Sequence, residues 1–197
     1  MTTIERRGLR IRVLFSPEEI AARNQALAVE IAARSGPEFL VVAILKGSFV
    51  FAADLLRALY AAGQSPEVEF MSLSSYGAGT ESSGRVTVLR DIESDVRDRT
   101  VILVDDILES GRTLAYAKDL LVARGAARVF TCVLLDKPGH RNASIEADFV
   151  GFDCPDLFVV GYGMDVAHAF RELPFVGVVE GRVSELRSDD DGEHPAG

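Results

Sequence analysis

The chain has few cysteines, few histidines and no long apolar run, and each shortage excludes a class of protein. Its two cysteines, Cys132 and Cys154, form no C-x-x-C pair and no cluster with the three histidines. We therefore expect reduced, buried thiols in a cytoplasmic protein rather than a disulfide framework or a zinc site. No apolar run approaches the roughly 18 residues that a membrane span needs. The arginines near the N-terminus precede no apolar segment, so no signal peptide is predicted.

Positive charge is also scarce. The 197 residues carry 21 lysines and arginines against 30 aspartates and glutamates, for a formal net charge of −9. This balance argues against broad electrostatic binding to nucleic acid or to an anionic membrane, and leaves room only for a local basic patch. Length and a hydrophobic content of 48% predict one domain with a sizeable core, over residues 1–187. Residues 188–197 have no apolar content to anchor them and are predicted to be a disordered acidic tail.

Two common nucleotide-binding motifs are missing as well. The sequence contains no G-x-x-x-x-G-K-[ST] loop, which disfavours a nucleoside triphosphatase. No G-x-G-x-x-G follows the first predicted strand, so a dinucleotide-binding fold lacks its fingerprint.

What the chain does have is a regular alternation of strand and helix patterns. Continuous apolar runs such as FLVVAIL predict strands buried on both faces, which is typical of a parallel sheet covered by helices. Ser16, Pro17 and Glu19 predict the start of the first helix through a capping box, and Gly36 predicts its end. The fold class is therefore α/β with a central parallel sheet flanked by helices. The predicted helices cover 16–36, 48–63 and 113–126, and the predicted strands cover 39–45, 68–75, 85–91, 100–106, 128–136 and 157–163.

Three polar segments follow predicted strands: KGS, DDILESGRT and DKPGHR. Ligands of parallel α/β sheets bind beyond the carboxyl ends of the strands, so we expect these segments to converge at one rim. In the second segment, Ser110 to Thr113 open a helix, where backbone N–H groups, hydroxyls and the positive end of the helix dipole favour an anion such as phosphate.

Asp105 and Asp106 lie directly beside this predicted anion pocket. Two carboxylates would repel a phosphate unless a hydroxyl-rich sugar or a magnesium ion lies between them. Phosphate, ribose and metal together describe a 5-phosphoribosyl group. Helix-capping acids in a solvated loop would explain the two aspartates alone, but they do not explain the whole string.

Five segments resemble those of a known family, in the same order. VILVDDILESGRTL is similar to the phosphoribosyl pyrophosphate (PRPP) motif of type I phosphoribosyltransferases. ILKGSFVFAADL resembles the pyrophosphate loop of the hypoxanthine-guanine branch, SLSSYGAG the start of its flexible catalytic loop, and LLDKPGHR its purine-binding segment. DFVGFDCPDLFVVGYGMD, with FRELPFVGVV after it, is similar to the purine-binding hood. The resemblance implies the type I phosphoribosyltransferase fold, with a small hood built from the C-terminal part.

The resemblance also implies roles for individual residues. Asp105 and Asp106 would hold the ribose hydroxyls, and Glu109 would be the catalytic base near the purine. The 5′-phosphate would be held by the turn that consists of Ser110, Gly111, Arg112 and Thr113.

The remaining implied contacts come from outside this motif. Pyrophosphate would be bound by Lys46, Gly47, Ser75, Tyr76 and Arg171, with the Leu45–Lys46 peptide often cis in the family. Lys137, Phe158 and Val159 would bind the purine, and Asp165 would bind Mg²⁺.

The implied activity is purine salvage: hypoxanthine or guanine reacts with PRPP to give IMP or GMP and pyrophosphate. Magnesium is the implied cofactor, and PRPP and a purine base are the implied partners, together with a second copy or copies in a homodimer or homotetramer. Residues 76–85 would form a loop that closes over the site and excludes water.

Several alternatives remain open from sequence alone. The family most often has aspartate where this chain has Glu109, so a PRPP- or nucleotide-binding regulator with little catalysis remains an alternative. Lys46 and Lys137 could be solvated charges, and Phe158 could be a core residue. Arg141 could be a second phosphate contact or a surface residue. The sequence does not choose among hypoxanthine, guanine and xanthine, or between dimer and tetramer.

Overall fold

The computed structural model describes residues 2–75 and 86–180. The predicted catalytic loop at 76–85, Tyr76 within it, and the predicted tail at 188–197 lie outside the described residues. Ten strands and three α-helices are assigned in the described part of the chain. The helices are α1 (Pro17–Ser35), α2 (Phe49–Ala61) and α3 (Arg112–Ala123).

A six-stranded central sheet organises the molecule. Its strand order is β5-β4-β3-β6-β7-β8, and its neighbours are parallel except for the β4–β5 pair. The α/β class with a central, mostly parallel sheet flanked by helices is therefore confirmed, and β5 at its edge runs antiparallel to β4. Only ten residues separate β4 from β5, fewer than the dozen or so that a parallel crossover needs. The strands are β3 (Leu40–Leu45), β4 (Glu67–Ser75), β5 (Val86–Arg90), β6 (Thr100–Leu108), β7 (Arg128–Asp136) and β8 (Phe149–Asp153).

Helices cover both faces of this sheet, which explains the continuous apolar runs. On β3, Val41 and Ala43 join the core cluster that also contains residues of α1 and α2. Val42 and Ile44, which point the other way, join the cluster that contains residues of α3. Burial on both sides is the reason that this strand has no polar face.

The start of α1 follows the sequence prediction closely. The Ser16 hydroxyl accepts a hydrogen bond from the Glu19 N–H at 3.2 Å, and the Glu19 carboxylate accepts one from the Ser16 N–H at 2.7 Å. This is the predicted capping box, and Gly36 ends the helix with a φ of 83°. A helix that begins here carries the chain from the hood to the central sheet.

A second, four-stranded antiparallel sheet forms the hood over the rim of the central sheet. Its order is β1-β2-β10-β9, so both termini of the described chain contribute to it. The prediction that the hood comes from the C-terminal part alone is therefore incomplete. Its strands are β1 (Thr3–Arg6), β2 (Leu9–Phe15), β9 (Val159–Val160) and β10 (Val176–Glu180).

The predicted strand at 157–163 is also wrong in length and in sheet. Only Val159–Val160 is a strand, and it pairs with β10 in the hood. Gly161 and Gly163 follow with φ values of 93° and 100°, which a continuing strand does not allow. The strand beside β7 at the edge of the central sheet is β8.

Both cysteines are buried and unpaired, as predicted. Burial raises the pKa of the Cys132 thiol well above its usual range, so this group stays a thiol at neutral pH. Among the described helices, none has the length and apolar content needed to cross a membrane.

Candidate active site

The three polar segments meet in a cleft between the rim of the central sheet and the hood. A cavity of about 260 Å³ is lined by residues that follow β3 and β6, and we call it the phosphate cavity. A neighbouring cavity of about 490 Å³ lies under the hood, and we call it the hood cavity. The predicted residues that line the phosphate cavity are Lys46, Gly47, Asp105, Asp106, Glu109, Ser110, Gly111 and Thr113. Those that line the hood cavity are Lys46, Gly47, Asp106, Glu109, Lys137, Phe158, Val159, Asp165 and Arg171.

Of the predicted residues, Arg112 does not line this cleft, and the side chains of Ser75 and Tyr76 are not among those described. Arg112 is exposed, and it lines a separate surface hollow beside Tyr116 and the strand Val86–Arg90. Ser75 ends β4, but its side chain is not described, and Tyr76 lies outside the described residues. Arg112 is the first residue of α3, and its backbone N–H donates to the Ser110 hydroxyl at 3.4 Å.

The turn before α3 has the backbone shape that an anion site requires. Gly111 is the N-cap with a φ of 79°, a left-handed conformation that side chains other than glycine rarely adopt. A Cβ atom here would also come within 2.7 Å of the Ile145 side chain and 3.1 Å of Arg141 Cδ. Among the described residues we find no hydrogen bond from the N–H groups of Ser110, Gly111 or Thr113, so these donors remain available to a ligand.

Asp105 and Asp106 lie near the end of β6, which continues to Leu108, and the backbone N–H groups that follow them hold their carboxylates. The Asp105 carboxylate accepts a hydrogen bond from the Asp106 N–H at 3.0 Å, and the Asp106 carboxylate accepts one from the Ile107 N–H at 2.9 Å. Burial raises the pKa of Asp105, and the charge of Asp106 raises it further. Burial also raises the pKa of Asp106, against the opposing effects of hydrogen bonds from the Asp105 side chain and the backbone and, to a smaller extent, of the Arg171 charge. Hydroxyl donors or a cation would relieve this unfavourable burial of negative charge.

Replacing Asp105 with asparagine should stabilise the fold at neutral pH. Because the pKa of Asp105 is raised on folding, ionisation of this carboxyl favours the unfolded chain. This penalty begins to shrink as acid protonates the native state, and it is gone once the unfolded chain is protonated too. We expect Asp105→Asn to melt above the wild type at pH 7 to 8, with the difference shrinking as pH falls toward the ordinary range of aspartate, about 4. Thermal melts across pH test this, with the exposed Asp119→Asn as control. An advantage that stays constant with pH would contradict it.

Gly47 lies between β6 and the hood in very close contact with both. The Leu45–Lys46 peptide bond, one residue before Gly47, is cis, as the family resemblance implied. A Cβ on Gly47 would lie 1.6 Å from Asp106 Oδ2, and a Cβ on Gly163 of the hood would lie 2.2 Å from the Gly47 carbonyl oxygen. Gly47 can lie this close to the Asp106 carboxylate, and Gly163 this close to the Gly47 carbonyl, only because both positions are glycine.

A methyl group at position 47 should damage the site more than the fold. Gly47→Ala forces the Asp106 carboxylate to move, and misplacement by about 1 Å can cost on the order of 10²-fold in catalytic efficiency. We expect a loss of that order in kcat/KM for PRPP with a small change in melting temperature. Gly139→Ala is the matched control, because a Cβ there meets its nearest neighbour at 4.0 Å. Equal kinetics for the two variants would show that Gly47 is not required.

Asp165 and Arg171 form an ion pair at the hood side of the cleft. Arg171 Nη2 lies 2.6 Å from Asp165 Oδ1, and Arg171 Nη1 donates to the Gly163 carbonyl at 2.7 Å. The other Asp165 oxygen accepts a hydrogen bond from the His168 N–H at 2.8 Å. Both side chains are about a quarter exposed, at 25% and 23%, so they can contact a ligand without leaving this arrangement.

Glu109 and Lys137 form the second ion pair of the cleft. Lys137 Nζ lies 2.8 Å from Glu109 Oε1 and 3.9 Å from Asp156 Oδ1. The lysine side chain is 9% exposed, whereas that of Glu109 is 45% exposed. Lys137 is therefore a buried donor at the wall of the hood cavity, and not the solvated charge that the sequence left open. Phe158 is 47% exposed in the same cavity, so it is not a core residue.

Arg141 proves to be neither of the two things that the sequence suggested. Its side chain is only 18% exposed, and its guanidinium contacts backbone carbonyls behind the turn rather than lining either cavity. Sequence patterns hold no signal for this contact, because the carbonyl acceptors belong to residues of any type.

Comparison with known proteins agrees with this geometry. Residues 14–167 match the phosphoribosyl transferase domain model. The hypoxanthine-guanine phosphoribosyltransferase of Bacillus subtilis (strain 168) is 42% identical over 175 residues, which are 88% of this chain and 96% of that protein. The bifunctional protein TilS/HprT of Listeria innocua is 44% identical over 170 residues, which are 86% of this chain but only 26% of that longer protein.

A solved structure has the same fold. The hypoxanthine phosphoribosyl transferase of Trypanosoma cruzi superposes with a TM-score of 0.83 at 36% identity, covering 89% of this chain and 94% of that one. The chain therefore belongs to the phosphoribosyl transferase family, in its hypoxanthine(-guanine) phosphoribosyltransferase branch.

Proposed function

We propose that the protein transfers the 5-phosphoribosyl group of PRPP to a 6-oxopurine, hypoxanthine or guanine, giving IMP or GMP and pyrophosphate. One observation carries this proposal: a phosphate-type turn, the buried Asp105 and the half-buried Asp106 share one cleft with a buried lysine and an exposed aromatic ring. The names of the curated relatives support the same reaction.

The ribose and its 5′-phosphate belong in the phosphate cavity. The N–H groups of Ser110, Gly111 and Thr113 supply donors at the start of α3, where the helix dipole adds positive potential. Asp105 and Asp106 accept hydrogen bonds from the ribose hydroxyls. This places C1′ of the ribose toward Glu109 and the hood cavity, where the purine binds.

The purine belongs in the hood cavity. Lys137 donates to its exocyclic oxygen, Phe158 stacks on the ring, and the Val159 backbone pairs with its edge. As the bond from C1′ to pyrophosphate breaks and a bond from C1′ to a purine nitrogen forms, Glu109 accepts the proton that the purine releases.

Pyrophosphate leaves past the Lys46–Gly47 loop. Lys46 and Arg171 lie on the wall of the hood cavity and neutralise the negative charge that grows on the leaving group. The backbone of Gly47 can approach the phosphates closely because it carries no side chain. Ser75, at the end of β4, and Tyr76 complete the proposed pyrophosphate contacts.

The carboxylates of the cleft fit magnesium that arrives together with PRPP. In the described part of the chain, no group of three or more His, Cys, Asp or Glu side chains could hold a metal alone. Asp165 offers a single, partly exposed carboxylate, which suits an ion that prefers a few carboxylates plus substrate oxygens. When bound, Mg²⁺ supplies positive charge that stabilises the departing pyrophosphate.

Magnesium should be required for turnover and should bind with PRPP rather than before it. The reason is the small number of protein ligands, which gives the ion little affinity until substrate oxygens complete its shell. Titration calorimetry with MgCl₂, with and without PRPP, tests the order. Tight magnesium binding to the protein without PRPP would contradict it.

We also propose a single domain over residues 1–187 that assembles into a homodimer or homotetramer. The Trypanosoma cruzi relative was solved in a study of how its C-terminal region affects oligomeric state and enzymatic activity. In this chain, α2 exposes Tyr60 and Phe49, at 80% and 43%, and apolar surface of this kind suits a subunit contact. Sedimentation velocity distinguishes monomer, dimer and tetramer directly.

The decisive test of the function is a direct assay. The purified protein is incubated with PRPP, Mg²⁺ and, separately, hypoxanthine, guanine, xanthine and adenine, and nucleotide formation is measured. We expect IMP or GMP and little AMP. If PRPP binds but no base is converted, the regulatory alternative is the correct one.

A further inference from the structure

The outer side of the phosphate turn is closed by a single segment of the chain, residues 137–143. The Lys137 N–H donates to the Leu108 carbonyl at 2.9 Å. The Asn142 and Ala143 N–H groups donate to the Ser110 carbonyl at 2.9 and 3.0 Å. These bonds join the loop after β7 to the turn after β6, over the whole length of the turn.

Arg141 completes this closure with its guanidinium. Its Nε donates to the Glu109 carbonyl at 3.0 Å and its Nη2 to the Leu108 carbonyl at 3.1 Å. Its Nη1 donates to the Ile145 carbonyl at 2.7 Å, and Asp136 forms an ion pair with it. All three nitrogens of the group are therefore engaged, and the rigid planar fork fixes the direction of each bond.

The direction of these bonds decides where the N–H groups of the turn point. In a trans peptide the carbonyl of one residue and the N–H of the next point in opposite directions. Holding the carbonyls of Leu108, Glu109 and Ser110 outward therefore turns the N–H groups of Glu109, Ser110 and Gly111 inward, toward the phosphate cavity. A turn without this support could rotate its peptides and lose the alignment of its donors.

We propose that Arg141 is a positioning residue, which holds the backbone of the phosphate turn so that its donors, and the carboxylate of Glu109, face the substrate. The inference rests on the proposed function for the identity of the substrate, PRPP. The anion that the turn would bind is the ribose 5-phosphate group, which can be tested without PRPP. Arg141 acts through the turn and does not itself contact the substrate. Its side chain also packs against Gly111, where a Cβ would come within 3.1 Å of Arg141 Cδ.

The test compares Arg141→Ala and Arg141→Lys with a matched control, Arg23→Ala. Arg23 is also a partly buried arginine whose guanidinium donates to two backbone carbonyls, those of Val150 and Gly151, but it lines neither cavity of the cleft. For each protein we would measure the melting temperature, the affinity for ribose 5-phosphate by calorimetry, and kcat and KM for PRPP with hypoxanthine.

We expect both Arg141 variants to weaken ribose 5-phosphate binding about tenfold or more and to lower kcat/KM for PRPP on the order of 10²-fold. Lysine keeps the charge opposite Asp136 but cannot reproduce the fork, so it should restore stability without restoring affinity. Added guanidinium should partly rescue Arg141→Ala. Arg23→Ala should lose stability while its KM for PRPP stays near that of the wild type.

Three outcomes decide the proposal. Wild-type ribose 5-phosphate affinity in Arg141→Lys would overturn it, and this variant decides the matter if Arg141→Ala does not fold. An equal loss of PRPP affinity in Arg23→Ala would overturn it as well, because the effect would then be one of stability. If the wild type makes no nucleotide but the Arg141 variants still lose ribose 5-phosphate, the positioning role stands and the proposed function fails.

Discussion

Glu109→Gln is expected to lower kcat by about 10²–10⁴-fold, the usual cost of losing a general base. Glutamine keeps the size of the side chain and can still accept a hydrogen bond from Lys137, but it cannot take a proton. The affinity for PRPP should survive, since the backbone N–H groups of the turn, rather than this carboxylate, face the phosphate. The measurement is kcat with hypoxanthine, with PRPP binding determined alongside.

The conservative replacement sharpens this test. Glu109→Asp shortens the side chain by one methylene and restores the residue that is usual in the family, so it should retain substantial activity. In the structure, the longer glutamate side chain contacts Lys137, with 2.8 Å between Glu109 Oε1 and Lys137 Nζ. The carboxylate must therefore leave or share this contact when a purine oxygen approaches the same ammonium. Wild-type turnover in Glu109→Gln would show that the carboxylate is not the base.

The parts of this fold that the sequence predicts are those with strong local signals. The start of α1 is specified by Ser16 and Glu19, whose mutual hydrogen bonds involve residues three apart. Strands β3, β6 and β7 are buried on both faces, so their apolar runs are unmistakable. Because parallel strands share one carboxyl rim, the meeting of the polar segments that follow them was also predictable.

The hood was not predictable in the same way, because its pairings are distant in the chain. Val178 of β10 pairs with Arg12 of β2, which lies near the other end of the described chain. Strand β8 contains Gly151, which lowers strand propensity. A Cβ on Gly151 would lie 2.4 Å from the Leu134 carbonyl oxygen, so the glycine is required by the close approach of β7, a fact that only the packed sheet contains.

The same distinction separates the predicted site residues from Arg141. Residues such as Asp105 and Lys137 could be singled out because their side chains have a chemistry that a substrate needs. Arg141 works instead on the backbone carbonyls of Leu108 and Glu109, which are 33 and 32 positions away. Its contribution depends on the direction of peptide bonds, which the residue types alone do not predict.

Lys137→Ala is the second replacement with a large expected effect, because it removes the donor that we assign to the purine oxygen. The lysine is 9% exposed and lies in the hood cavity with Phe158 and Val159. A hydrogen bond to a charged group contributes about 1.5–3 kcal/mol, which corresponds to roughly 10–100-fold in kcat/KM for hypoxanthine. The fold should be little affected, since the Leu108 carbonyl is held by the backbone N–H of this residue and not by its ammonium.

The choice of base makes this prediction specific. An ammonium has three donors and no acceptor, so it favours an oxygen at the purine 6-position and opposes an amino group. Lys137→Ala should therefore lose turnover of hypoxanthine and guanine while its weak turnover of adenine stays the same or rises. Lys118→Ala is the matched control, because that lysine lies on α3, 3.8 Å from Asp148 and outside both cavities. If Lys137→Ala keeps the wild-type kcat/KM for hypoxanthine, the ammonium does not contact the purine, and its pairing with Glu109 is then its main role.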